Sequence, residues 1–125
     1  MTRSIYDDPG PEAHWRAALA DGRFLLQRGR DGRAFFPPRV AQPGNGSLDH
    51  QWIEASGGGA VYSVTVVAPR PPAVPYNVVL VDLDEGVRLM SRVEGLEPSA
   101  VAIGMRVRAR VAHDEDGAIL IFDPA

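Results

Sequence analysis

The stretch "GVRLMSRVEG", Gly86–Gly95, puts Val87, Leu89 and Val93 on one side of an extended chain and Arg88, Met90 and Arg92 on the other. "MRVRARVAH", Met105–His113, repeats the pattern, with Met105, Val107, Ala109 and Val111 opposing Arg106, Arg108 and Arg110. A period of two is the signature of a strand with one buried and one solvated face. These two runs set the class of the fold as mainly β.

The same grammar extends in both directions. From Gln51 onward, "QWIEAS", "GAVYSVTVVA", "YNVVLVDL", "GVRLMSRVEG", "MRVRARVAH" and "AILIFD" read as successive strand segments. The glycines at 57–59 are expected to bulge or bend a long first strand, as the corner of a small barrel requires. "DEDG", 114–117, reads as a hairpin turn, and "LDEG", 83–86, as another. "EGLEPSAVAIG", 94–104, breaks the alternation and has room for one helical turn. Five barrel strands, a bent first strand and a short helix after the third describe an OB-fold. The connection "APRPPAVPY", 68–76, carries four prolines and is expected to be stiff and extended, close to polyproline II.

Upstream the pattern changes. "PEAHWRAALADG" reads as a short helix, with Pro11 and Glu12 in the first turn and Gly22 as the stop. Trp15, Ala18 and Leu19 share a face of it. Arg23–Gln27 and Arg33–Phe36 form a hairpin around Gly29–Gly32, which Pro37 and Pro38 end. The following "PPRVAQPGNGS", 37–47, has the rhythm of a zinc knuckle, yet the chain contains no cysteine.

Composition narrows the chemistry. The 125 residues bear a net charge of −3, and all thirteen basic residues are arginine. Without cysteine or lysine there is no thiol nucleophile and no Schiff-base lysine. Ser47, Ser56, Ser63, Ser91 and Ser99 lie in no nucleophile-elbow pattern. His14, His50 and His113 are scattered, and Asp82 and Asp84 share a strand face next to a turn. No run is as long and apolar as a membrane span, and "MTRSIYDDPGPE" lacks a signal-peptide core, so a soluble, cytoplasmic protein is expected. The acidic balance also argues against generic nucleic-acid binding.

"FFPPR", "SGGGAVYSVTVV" and "LDEGVRLMSRVEG", in that order behind a tryptophan-bearing helix, resemble the family long catalogued as domain of unknown function 35. The resemblance runs from about Ala13 to Pro124. It implies an N-terminal helical segment (1–22), a ribbon (23–50) and an OB-fold domain (51–125). The family's ribbon usually carries two Cys-x-x-Cys pairs; the resemblance puts the first cysteine on Gly29, the second either on Gly32 or in a deletion, since the spacing to "FPPR" is one residue short, and the third and fourth on Gln42 and Asn45. The ribbon is therefore expected to be a metal-free hairpin with no zinc and no other cofactor.

The resemblance further implies a non-catalytic accessory subunit of a thiolase-superfamily or enoyl-CoA hydratase-like enzyme. The complex would act on acyl-CoA or polyketide-type thioesters, with acyl-CoA at a shared site. Contacts to CoA, substrate or partner are expected from Arg39, Arg70, Tyr76, Arg106, Arg108 and Arg110. Trp15, Phe35 and Phe36 are the expected partner interface. The alternative is an OB-fold that binds single-stranded nucleic acid through aromatic and basic groups.

Overall fold

The computed structural model describes residues 10–125, so the expectations that fall on residues 1–9 lie outside the described residues. The first element is α1 (Pro11–Ala20), with Pro11 at its start and Glu12 paired to Arg16 one turn later at 3.0 Å. Its end is built as the sequence predicts. Gly22 adopts φ 81°, its N–H bonds to Leu19 O, and the Arg23 N–H bonds to Ala18 O. That pair of bonds satisfies carbonyls that the last turn would leave open.

Three strands make a small sheet: β1 (Leu25–Gly29), β2 (Ala34–Phe35) and β3 (His50–Glu54), in the order β2-β1-β3. β3 departs from expectation. "QWIEAS" does not begin the barrel but pairs antiparallel with β1, from Leu25↔Glu54 to Gly29↔His50. The reason is the backbone at Gly57, where φ is +86°. Before that bend the Ala55 N–H bonds to Phe24 O and after it Gly57 O accepts from the Ala109 N–H, so the chain leaves one sheet and enters the other there. The ribbon thus reaches to about residue 55.

The second sheet comprises β4 (Gly58–Val67), β5 (Tyr76–Leu83), β6 (Arg88–Ser91), β7 (Arg106–Asp114) and β8 (Gly117–Pro124), in the order β6-β5-β4-β7-β8. It closes on itself through a parallel bridge between Val93 and Phe122. Backbone bonds from Glu94 N–H to Phe122 O and from Phe122 N–H to Arg92 O secure that seam. A register shift lies between Val61 and Ser63 in β4, and a single 3-10 turn (Pro98–Ala100) follows β6. This is the five-stranded barrel that the alternation predicts.

The core is the inward face of those strands. Val61, Val79, Val81, Leu83, Val87, Leu89, Val93, Val101, Val107 and Phe122 are buried together, with Phe24 and Leu26 reaching in from the ribbon. Two-residue periodicity explains the list, because each strand contributes every second side chain. The buried Asn77 is the polar exception. It donates to Val93 O at 3.1 Å and accepts from Val93 N–H at 2.9 Å, serving that residue as a neighbouring strand would.

The proline connection also departs from expectation. Ala73 N–H bonds to Arg70 O, so the segment makes a turn rather than a continuous extended run. Val67 and Tyr76 face each other in the ladder, and the eight residues between them must reverse direction.

Candidate functional site

The loop between β2 and β3 is fastened to the sheet by side-chain amides. Gln27, in the middle of β1 and buried, donates from Nε2 to Arg39 O and accepts at Oε1 from Arg39 N–H, both at 2.7 Å. Its amide orientation is fixed by the Arg39 N–H, which can only donate. His50 Nε2 lies 2.7 Å from Val40 O, which can only accept, so Nε2 carries the proton. Nδ1 then faces the Gln27 amide at 3.5 Å as an acceptor.

Farther along, the knuckle itself is filled. Gln42 is 3% exposed and reaches inward. Its Nε2 donates to Asp31 Oδ1 at 2.9 Å, and its Oε1 accepts from Asn45 Nδ2 at 3.2 Å. A Cβ placed on Gly29 would overlap the Gln42 carboxamide outright. The hydrogen bond from Gln42, with further bonds from Arg33, holds the Asp31 carboxyl at about 2, below its usual 3.8. Gln42 and Asn45 meet beside Gly29, and the Gly32 N–H bonds to Gly29 O at 3.0 Å. The four do not fit zinc, which needs four N, S or O donors in a tetrahedron: two have no side chain, and the two amides are engaged with each other and with Asp31. Among the described residues no group of three or more His, Cys, Asp or Glu side chains is placed to hold a metal ion.

The arginine stripe on β7 lies on the outward face, as predicted, but it is not a free basic track. Arg106 makes two bonds of 3.1 Å to Asp84. Arg110 bonds to Asp123 at 2.7 and 3.1 Å and reaches Glu94 at 3.5 Å. Those guanidiniums hold the Asp84 and Asp123 carboxyls below their ordinary range. Arg88 likewise pairs with Asp82 at 2.7 Å and covers the Tyr62 ring at 3.4 Å from its centre. Asp82 and Asp84 thus serve as outward ion-pair partners. Arg108, between Arg106 and Arg110, makes no ion pair among the described residues, and neither do Arg39 and Arg70. Arg70 and Tyr76 are exposed at opposite ends of the proline turn.

The aromatic trio is placed differently from one another. Phe35 is buried and meets His50 edge-on at 5.5 Å. Phe36 is half-buried against the core, 5.4 Å from Trp15. Trp15 donates from Nε1 to Leu25 O at 2.8 Å. These residues fasten helix, ribbon and barrel together rather than forming an open apolar surface. The exposed apolar side chains are others: Val40 and Leu48 in the loop between β2 and β3, Tyr62, Val66, Val74 and Tyr76 on the β4–β5 hairpin, with Ile103 beside it, and Met90 on β6.

Comparisons with known proteins agree with this architecture. Residues 52–112 match the family model described as "ChsH2, C-terminal OB-fold domain". The chain is 34% identical to the 3-oxo-4,17-pregnadiene-20-carboxyl-CoA hydratase alpha subunit of Mycobacterium tuberculosis, over 97% of this chain. It spans only 43% of that relative's length. It is 31% identical to a DUF35 domain-containing scaffold protein of Pyrococcus furiosus, covering 86% of this chain and 85% of the other. A solved structure described as the Ltp2-ChsH2(DUF35) aldolase superposes with a TM-score of 0.80 at 33% identity over 98% of both chains.

Proposed function

The chain belongs to the DUF35 family, and from that premise we propose that it is a non-catalytic accessory subunit of an enzyme complex acting on acyl-CoA thioesters. The observation that carries this reading is the end-to-end correspondence with the structure described as the Ltp2-ChsH2(DUF35) aldolase. The likeness to a CoA-ester hydratase subunit points to the same substrate class. The chain's own chemistry is consistent with a supporting role, since it has neither cysteine nor lysine and its carboxylates Asp82, Asp84 and Asp123 are spent on arginines. The catalytic partner is a thiolase-superfamily or enoyl-CoA hydratase-like polypeptide.

The experiment is an acyl-CoA turnover assay with this chain alone, with a co-purifying thiolase-superfamily or enoyl-CoA hydratase-like polypeptide alone, and with the two co-expressed. Activity confined to the co-expressed pair is the expected result. Full turnover by this chain alone, or an enzyme indifferent to its presence, would overturn the proposal.

The ribbon of this subunit folds without metal. Gln42 supports this reading, because it takes up the space that a side chain at Gly29 would need and ties the knuckle to Asp31. Elemental analysis of protein purified without chelator tests it, and one equivalent of tightly bound zinc would refute it.

A further inference from the structure

From Val61 to Val81 the sequence holds one charged residue, Arg70, in a chain that is 23% charged. This span forms β4 beyond its register shift, the proline turn and most of β5. β4 pairs with β7 only over Gly58–Ala60, and Val61 makes the last contact on that side, with Met105 and Gly104. Beyond it, Tyr62–Val67 has β5 on one edge and, among the described residues, no strand on the other. Tyr62 and Val66 are exposed along this segment, and Val74, Tyr76 and Ile103 are exposed nearby. Exposed edges are ordinarily guarded by charge, proline or a bulge. Here the bulge lies at the inner end, and the six residues outside it carry no charge and no proline.

We infer that the Tyr62–Val67 edge of β4 receives an extended strand of the catalytic polypeptide, continuing the barrel sheet into the partner. The inference rests on the accessory-subunit reading above. An open strand edge is complementary to another strand, whose backbone supplies the missing hydrogen-bond partners. Away from Tyr62, whose ring Arg88 covers, the flanking surface around Thr65, Val66 and Val67 selects uncharged side chains on that strand, because burying an unpaired charge against it is costly. Interface centres elsewhere have the same character, poor in charge and rich in tyrosine. Trp15 on α1 and Phe35 and Phe36 of the ribbon are, by contrast, already engaged within the chain.

The test is amide hydrogen exchange on this chain alone and in complex with its co-expressed enzyme, together with Val66→Lys and Val66→Ile. The expected result is new protection in Tyr62–Val67 on assembly. Val66→Lys should weaken assembly at least tenfold, with barrel-core exchange unchanged, and Val66→Ile should assemble as the parent does. A complex that forms with protection only elsewhere overturns the docking edge and leaves the accessory role standing. Protection of the segment in the isolated chain that grows with its concentration assigns the edge to a second copy and also overturns the inference. Failure to form any complex defeats the accessory reading, and the inference with it.

Discussion

The ribbon and the barrel solve the same problem with different materials. The barrel is held by a continuous apolar interior, in which Phe122, Val81 and Val107 are almost wholly withdrawn from solvent. The ribbon buries Leu25, Leu26 and Phe35, but its long loop is held by a handful of directed bonds from Gln27, Gln42, Asn45 and His50. Apolar packing is non-directional and shared among many neighbours. An amide network depends on each member, since a buried group left without its partner bears the full desolvation penalty. Among the described residues the three buried polar side chains, Gln27, Gln42 and Asn77, are all amides. An amide offers a donor and an acceptor without a charge, so it can stand in for a strand or fill a knuckle at modest cost.

The comparison breaks most visibly in the barrel. Phe122→Ala should cost about 3–5 kcal/mol, the range for a large core truncation, read as a lower urea midpoint with unchanged slope. Next comes Gln27→Ala, which strands both backbone groups of Arg39. At roughly 1–3 kcal/mol for each unsatisfied group, lessened because Arg39 is exposed and water can take up part of the bonding, the loss is about 2–4 kcal/mol. Hydrogen exchange should place it in residues 37–50 and leave the barrel seam protected. Loss of protection at the Val93–Phe122 seam instead would mean that the two regions do not differ as described.

A smaller effect sharpens the contrast. Gly29→Ala forces a methyl against the Gln42 carboxamide, and overpacking of this kind costs about 1–3 kcal/mol. Adding Gln42→Ala should relieve most of that cost, a coupling that a double-mutant cycle measures directly. Strict additivity of the two substitutions would show that Gln42 does not occupy that space.

The smallest effect is with pH. Asp31 titrates at about 2 in the fold against 3.8 ordinarily. A depressed carboxyl contributes stability that is present above its unfolded value and lost as pH falls through the folded one. Its contribution should therefore fade between about pH 4 and pH 2, and the Gln42 and Asn45 side-chain amide signals should follow the folded titration, centred near pH 2. Asp31→Asn should flatten that titration, and an unchanged profile would remove Asp31 from the network.

Much of the barrel is legible in the sequence because its signal is local. Val87, Leu89 and Val93 declare their buried face by alternation alone, and the 114–117 turn declares itself by composition. The partner of β3 is not legible, because Gln51–Glu54 alternates equally well for either sheet and a backbone angle at Gly57 decides between them. The stripe on β7 reads as basic in one dimension, but its acids arrive from other segments: Asp84 at the end of β5, Glu94 after β6 and Asp123 in β8. Phe35 and Phe36 read as equivalent neighbours, although one is buried in the ribbon and the other is half-buried against the barrel core. Gln27 carries no signal beyond being a polar residue in an apolar run. The charge-poor span 61–81 is legible from composition, and only the fold reveals that it ends in an open edge.

The parallel seam between Val93 and Phe122 also bears on how the protein is made. Synthesis runs from the N-terminus, and β8 is the last barrel strand to leave the ribosome. Until Phe122 has emerged, β6 and its following segment have no partner on that side, and the interior that Phe122 fills stays open. The β1–β2 and β4–β5 hairpins join neighbours close in sequence and can pair early. Closure of the barrel thereby waits for β8, and is set by one aromatic side chain near the end of that strand.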